Sequence, residues 1–184
     1  MSDAAQRRKL NADEFIQWAM DQPKRYELVA GEAVAMAPER VAHAEAKFMV
    51  ARRLAEAVEA AGLRCQVFTD GMAVQIDEFT VYEPDALVRC GERLPGDAVK
   101  VLDPLIVVEV VSPSSRGRDA GAKFADYFRL PTLRHYLILS TETRTVVHHE
   151  RDDAGVITSR VVSDGAITLD PPGMSVSLSP RPDS

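Results

Sequence analysis

The spacing of apolar residues changes period along the chain, and each change predicts an element. Ala46, Val50, Leu54, Val58 and Ala61 recur at helical spacing within residues 42 to 61, and Gly62 supplies a stop. His43 heads that stripe, so it points inward or toward a cleft. Asn11-Ala12-Asp13-Glu14 has the form of a capping box, with Leu10 and Phe15 placed as a hydrophobic staple. A short helix from Ala12 to Met20 follows, and Pro23 ends it. Tyr26-Glu27-Leu28-Val29 and Ala33-Val34-Ala35-Met36 flank Ala30-Gly31-Glu32, which predicts a hairpin. Residues 65 to 69 and 72 to 76 read as strands joined by Asp70-Gly71. Another strand begins near Pro84 and covers residues 85 to 89. Gly91, Pro95, Gly96 and Pro104 make residues 91 to 104 a loop. Residues 105 to 111, Leu-Ile-Val-Val-Glu-Val-Val, are apolar on both faces, as a strand inside a sheet must be. A helix is predicted from about residue 119 to 130, before Pro131 breaks it. Strand character returns at residues 134 to 139 and 145 to 150. Alternation is weak from Val156, and a Pro-rich disordered end is expected after Leu178.

Helix, hairpin, helix, strands, helix, strands is the order expected of a mixed β-sheet flanked by α-helices in one α/β domain. That domain is expected over residues 10 to 178, with 1 to 9 and 179 to 184 as flexible termini. The 184 residues suffice for a real core, and 46% hydrophobic with 27% charged residues is ordinary for a globular protein. No apolar run approaches the ~20 residues that span a bilayer, and the polar start of the chain does not read as a secretory signal. Only Cys65 and Cys90 occur, with neither CxxC spacing nor a disulfide framework, so a reducing cytoplasm is expected. A net charge of −6 argues against coating nucleic acid by bulk charge. Arg116, Arg118, Lys123, Arg129 and Arg134 nevertheless fall in one acid-poor segment, either as a local basic patch or, more commonly, as a solvated helix face.

Glu109 is the one charge in its strand, and the strand runs into the polar turn Ser112-Pro113-Ser114-Ser115. A buried carboxylate costs several kcal/mol, by rough reckoning, unless paired or bound to a metal. The end of a central strand is where open α/β sheets place their sites. The bland explanation is a buried salt bridge to an arginine. Asp85, in Pro84-Asp85-Ala86-Leu87-Val88, likewise stands at the mouth of an apolar strand, 24 residues earlier (109 − 85). On neighbouring strands the two carboxylates would reach one point, and a divalent cation would relieve their repulsion; oxygen ligands suit Mg²⁺ or Mn²⁺. Lys123, 14 residues after Glu109 (123 − 109), stands on the following helix with Tyr127 at i+4. It could orient a nucleophilic water and stabilise charge on a phosphate, or merely pair with Asp119 on the helix surface.

These residues, in this order, resemble the Uma family of putative restriction endonucleases. Tyr26 to Glu32, with Met36-Ala37-Pro38 and His43, is similar to its N-terminal signature. Pro84 to Val88 and Val108-Glu109-Val110-Val111-Ser112-Pro113-Ser114 are similar to its central motifs, and Lys123 with Tyr127, then Leu133 to Leu137, to its next helix and strand. The resemblance spans roughly residues 10 to 178 and implies a restriction-endonuclease-like core of the PD-(D/E)XK superfamily. It makes Asp85 and Glu109 the metal-holding acids, with the Val110 carbonyl beside them, and Mg²⁺ or Mn²⁺ the cofactor. The superfamily's usual lysine position holds Val111, and Lys123 on the next helix takes that part. Glu32, His43 and Tyr127 match accessory positions. Ser114, Ser115 and Arg116 are expected to contact the substrate backbone. The implied activity is metal-assisted hydrolysis of DNA phosphodiester bonds, by a homodimer if the commonest assembly holds. A second reading is an inactive nuclease-fold module that binds or regulates. A zinc site from Cys65, Cys90, His148 and His149 lacks ligand spacing.

Overall fold

A computed structural model describes residues 9–111 and 120–178. The first helix, α1 (Ala12–Met20), carries the full capping box: the Asn11 side chain accepts from the Glu14 N–H, and the Glu14 carboxylate accepts from the Asn11 N–H. The hairpin strands β1 (Tyr26–Val29) and β2 (Glu32–Ala35) close through Ala30 and Gly31, both at positive φ (50° and 88°), as a two-residue turn matched to strand twist requires. Glu32 therefore opens β2 and is not part of the turn.

Helix α2 (Val41–Ala60) is the long amphipathic helix, burying Val50, Ala51, Leu54 and Val58. Strands β3 (Cys65–Thr69), β4 (Ala73–Asp77), β5 (Thr80–Tyr82), β6 (Ala86–Cys90), β7 (Lys100–Val101) and β8 (Ile106–Val111) follow. Then come α3 (Ala120–Tyr127), β9 (His135–Ser140), β10 (Val146–Arg151), β11 (Ile157–Val162), β12 (Ile167–Leu169) and β13 (Met174–Val176). Several pieces depart from the sequence expectation. β5 was not foreseen, β7 interrupts the expected loop, β11 to β13 are strands where the sequence shows only weak alternation, and α3 stops at Tyr127, three residues short of 130.

The strands form two mixed sheets and a two-stranded ribbon. The larger sheet has the order β11-β10-β9-β8-β6-β3, with β8 and β9 parallel and the other pairs antiparallel. The smaller runs β2-β1-β5-β4-β7, and β12 pairs with β13. Although Asp70-Gly71 is the link between β3 and β4, those strands belong to different sheets, so the chain crosses between sheets at that turn.

Strand β8 is interior, as its two apolar faces require. Ile106, Val108 and Val110 pack toward α2 and the β12–β13 ribbon; Val107 packs on the other side with Tyr127, Leu130, Leu133 and Tyr136. Strand alternation puts Glu109 on the Val107 side, toward α3. Helix α1 covers the smaller sheet by packing Phe15 and Ile16 against Leu28, Ala73 and Val81.

Cys65 and Cys90 stand directly opposite each other on β3 and β6 and are joined by a disulfide. This corrects the expectation of no disulfide: the spacing was uninformative because β-pairing, not sequence proximity, brings them together. The disulfide removes both cysteines as zinc ligands, and His148 bonds His135 while His149 bonds Ser159.

Candidate active site

The antiparallel register of β6 and β8 pairs Ala86 with Val108. One step further sets Asp85 across from Glu109, at the mouth of two adjacent strands. Asp85 is 5% exposed, and its Oδ2 accepts the Val110 N–H at 2.6 Å. That bond holds the carboxylate over the end of β8. Val110 thus touches Asp85 through its N–H, where the sequence had suggested a part for its carbonyl.

The two acids have different flanks. Asp85 faces α2, with Lys47 Nζ 3.0 Å from Oδ1 and His43 Nε2 3.6 Å from Oδ2. Glu109 faces α3. Lys123 Nζ lies 3.1 Å from Glu109 and 2.8 Å from Glu27, and the Tyr127 hydroxyl donates to Glu109 at 3.0 Å. Glu109 thus has a lysine and a tyrosine as partners, not the arginine of the bland reading. Lys123 does not lie on a solvated helix face; it turns inward, over the Tyr82 ring.

A chain of charges surrounds the pair. Lys47 also bonds Asp70, at 2.7 Å, and Glu39; Arg25 bonds Asp70 and, at 2.7 Å, Glu83. The Glu83 N–H donates to Glu27, which closes the arc back to Lys123.

These contacts push the two acids apart. Burial would raise the Asp85 pKa, but the close approach of His43, the Val110 N–H and the Lys47 charge outweigh it and hold Asp85 below the usual range. Burial raises Glu109, and the Lys123 charge opposes this only in part against the charges of Asp85 and Glu27; the carboxyl is pushed up to about 7. Two carboxyls of unequal acidity in one place are a signature of functional sites. His43 is held above its ordinary 6.5 chiefly by its bond to Asp85. Burial disfavours the Lys123 ammonium, but Glu109 and Glu27 keep it charged.

Among the other predicted residues, Glu32 is exposed on β2, away from the His43, Lys47, Val110, Lys123 and Tyr127 partners of Asp85 and Glu109. Ser114, Ser115 and Arg116 lie outside the described residues, as do Arg118 and Asp119. The acid-poor segment is not a basic patch among the described residues: Arg129 pairs with Asp77 and Asp126, and Arg134 with Asp153.

Sequence reasoning missed Lys47, Glu27, Glu39, Asp70 and Arg25. Lys47 left a signal: it interrupts the apolar stripe of α2, four residues after His43 and three before Val50. Glu27 and Asp70 left none, because a hairpin acid and a turn Asp-Gly each have a local explanation.

The mixed sheets and their flanking helices form a nuclease-like fold. A solved structure described as a putative nuclease belonging to DUF820, from Anabaena variabilis, matches it with a TM-score of 0.73 at 13% identity, over 92% of this chain and 95% of that one. The chain belongs to the Uma2 family, described as "Putative restriction endonuclease", whose model matches residues 12–180. Two similar proteins come from a Synechocystis strain: uncharacterized protein slr1290, 27% identical over 92% of this chain and 90% of its own, and uncharacterized protein sll1609, 28% identical over 77% and 81%. No helix among the described residues is long and apolar enough to cross a membrane.

Proposed function

We propose that the chain is a metal-dependent endonuclease that hydrolyses DNA phosphodiester bonds at the Asp85–Glu109 pair, as one catalytic domain of residues 10 to 178. The observation that carries this reading is the pair itself: two carboxyls at adjacent strand mouths, one held ionised and the other pushed up, with a lysine on each flank. Carboxylate oxygens suit a hard divalent cation, and Asp85, Glu109 and the Val110 carbonyl would hold Mg²⁺ or Mn²⁺. A bound ion of this kind supplies Lewis-acid polarisation of the phosphate and a more acidic water.

The chain's own residues do the rest. Lys123, kept charged by Glu109 and Glu27, orients the attacking water and stabilises charge gathering on the phosphate. Tyr127 fixes the Glu109 carboxylate through its hydroxyl. Asp85 stays ionised because His43, Val110 and Lys47 all favour its anion. His43 is an accessory through that contact, Glu32 a peripheral one. Ser114, Ser115 and Arg116 contact the DNA backbone. A homodimer suits duplex cleavage; sedimentation of the purified protein at twice the mass of one chain is the expected result.

The reading is tested by incubating supercoiled plasmid with the protein in Mg²⁺ or Mn²⁺. Nicked or linear product is expected with the wild type, and none with Glu109→Ala or with chelator present. A second reading has one observation in its favour: each acid already has a lysine partner within the chain, an ion pairing that needs no metal. Failure to cleave any nucleic acid with either metal, alongside retained DNA binding, would establish that module instead.

A further inference from the structure

Three acids converge on one buried ammonium. Lys47 is 6% exposed, and its Nζ lies 2.7 Å from Asp70 and 3.0 Å from Asp85 and also bonds Glu39. A lysine on the apolar stripe of a helix is costly to bury, so its place demands a partner set of this kind. The same spot has a second property. Donor atoms of Glu39, His43 and Asp85 all lie within 4.8 Å of one another, close enough to share a single cation. Lys47 bonds two of those three residues.

The two flanks of Asp85 are therefore unlike. On the α3 side stands Glu109, with its carboxyl pressed by neighbouring acids. On the α2 side the anions are already gathered around a fixed positive charge. A lysine suits that part, as a compact point charge with three donors, here met by three carboxylates. Nuclease sites with two metals use ions ~3.5–4 Å apart. An ion on the α2 flank would have to displace the ammonium or sit against it, and like charges at that range repel strongly in a buried setting.

We propose that Lys47 is the built-in second cation of the site. It fills the α2 flank of Asp85 that a second divalent ion would otherwise take among Glu39, His43 and Asp85, so the chain loads one divalent ion and not two. The inference rests on the metal reading of Asp85 and Glu109 for the first ion only. Lys47 is on this view a positioning residue: it keeps Asp85 anionic and turned toward β8 without competing for the substrate.

The test is a calorimetric titration of Mn²⁺ at pH 8. Wild type and Lys47→Arg are expected to bind one ion per chain. Lys47→Met is expected to bind two, and Lys47→Met with Glu39→Gln to return to one. Because Lys47→Met leaves acids unbalanced, Lys47→Met with Asp70→Asn serves as a second form, with circular dichroism confirming the fold; it too should gain one ion. Two ions in the wild type, or no gain in either Lys47→Met form, would overturn the inference. The metal reading fails separately: a wild type that binds no Mn²⁺ removes the Glu109 ion, while a Lys47→Met gain that Glu39→Gln abolishes still upholds the part given to Lys47.

Discussion

At the scale of single residues, the site is a set of charges that no local rule would place where they are. Glu109 and Asp85 could be singled out in the sequence as acids at the ends of apolar strands, whereas Lys123 stands out only beside them and through the family resemblance. Their partners were legible only in part. Lys47 breaks an apolar stripe and could have been found that way, whereas Glu27 and Asp70 look locally content. Tyr127 was expected beside the site, and its hydroxyl bonds Glu109. Tyr127→Phe removes a bond to a charged acceptor, and a loss of about 1–3 kcal/mol is expected in urea unfolding. Lys123→Met should lower the cleavage rate by about 100-fold or more, the size of losing one group that meets charge in the transition state. An unchanged rate would take Lys123 out of the proposed chemistry.

At the scale of elements, local signals succeeded where chemistry is local. The α1 capping box and the β1–β2 hairpin are both written in a few adjacent residues. The hairpin turn depends on Gly31, at φ +88°, where a Cβ would come 2.8 Å from the Lys9 Cβ. Gly31→Ala should cost about 1–2 kcal/mol, read as a lower denaturation midpoint. The β9–β10 pair holds a different device. His135 Nδ1 and His148 Nε2 are 3.0 Å apart, and both rings are buried. Burial and the neighbouring His135 push His148 down to about 4 from its ordinary 6.5. The unfolded chain therefore takes up a proton before the folded one as pH falls. Stability contributed by neutral His148 is full above about 6.5 and is lost as pH drops through about 4. Unfolding measured across that window should show a slope that His148→Leu flattens; the same slope in both proteins would contradict it.

At the scale of the whole molecule, the fold class and the family were legible, because the order of motifs carries both. The division into two sheets was not. Asp70-Gly71 reads as an ordinary strand link, yet it carries the chain from one sheet to the other, and that crossing brings Asp70 to Lys47 and Arg25. The Cys65–Cys90 disulfide was hidden for the same reason, since it depends on the register of β3 against β6. Long-range pairing, not local pattern, completes the site around its two legible acids. On the proposed function, those two acids hold one catalytic divalent ion. Anomalous diffraction from crystals soaked in Mn²⁺ tests it most directly. The expected result is one peak within bonding distance of both Asp85 and Glu109, absent in Asp85→Asn; no peak there, or peaks only at other carboxylates, would contradict it.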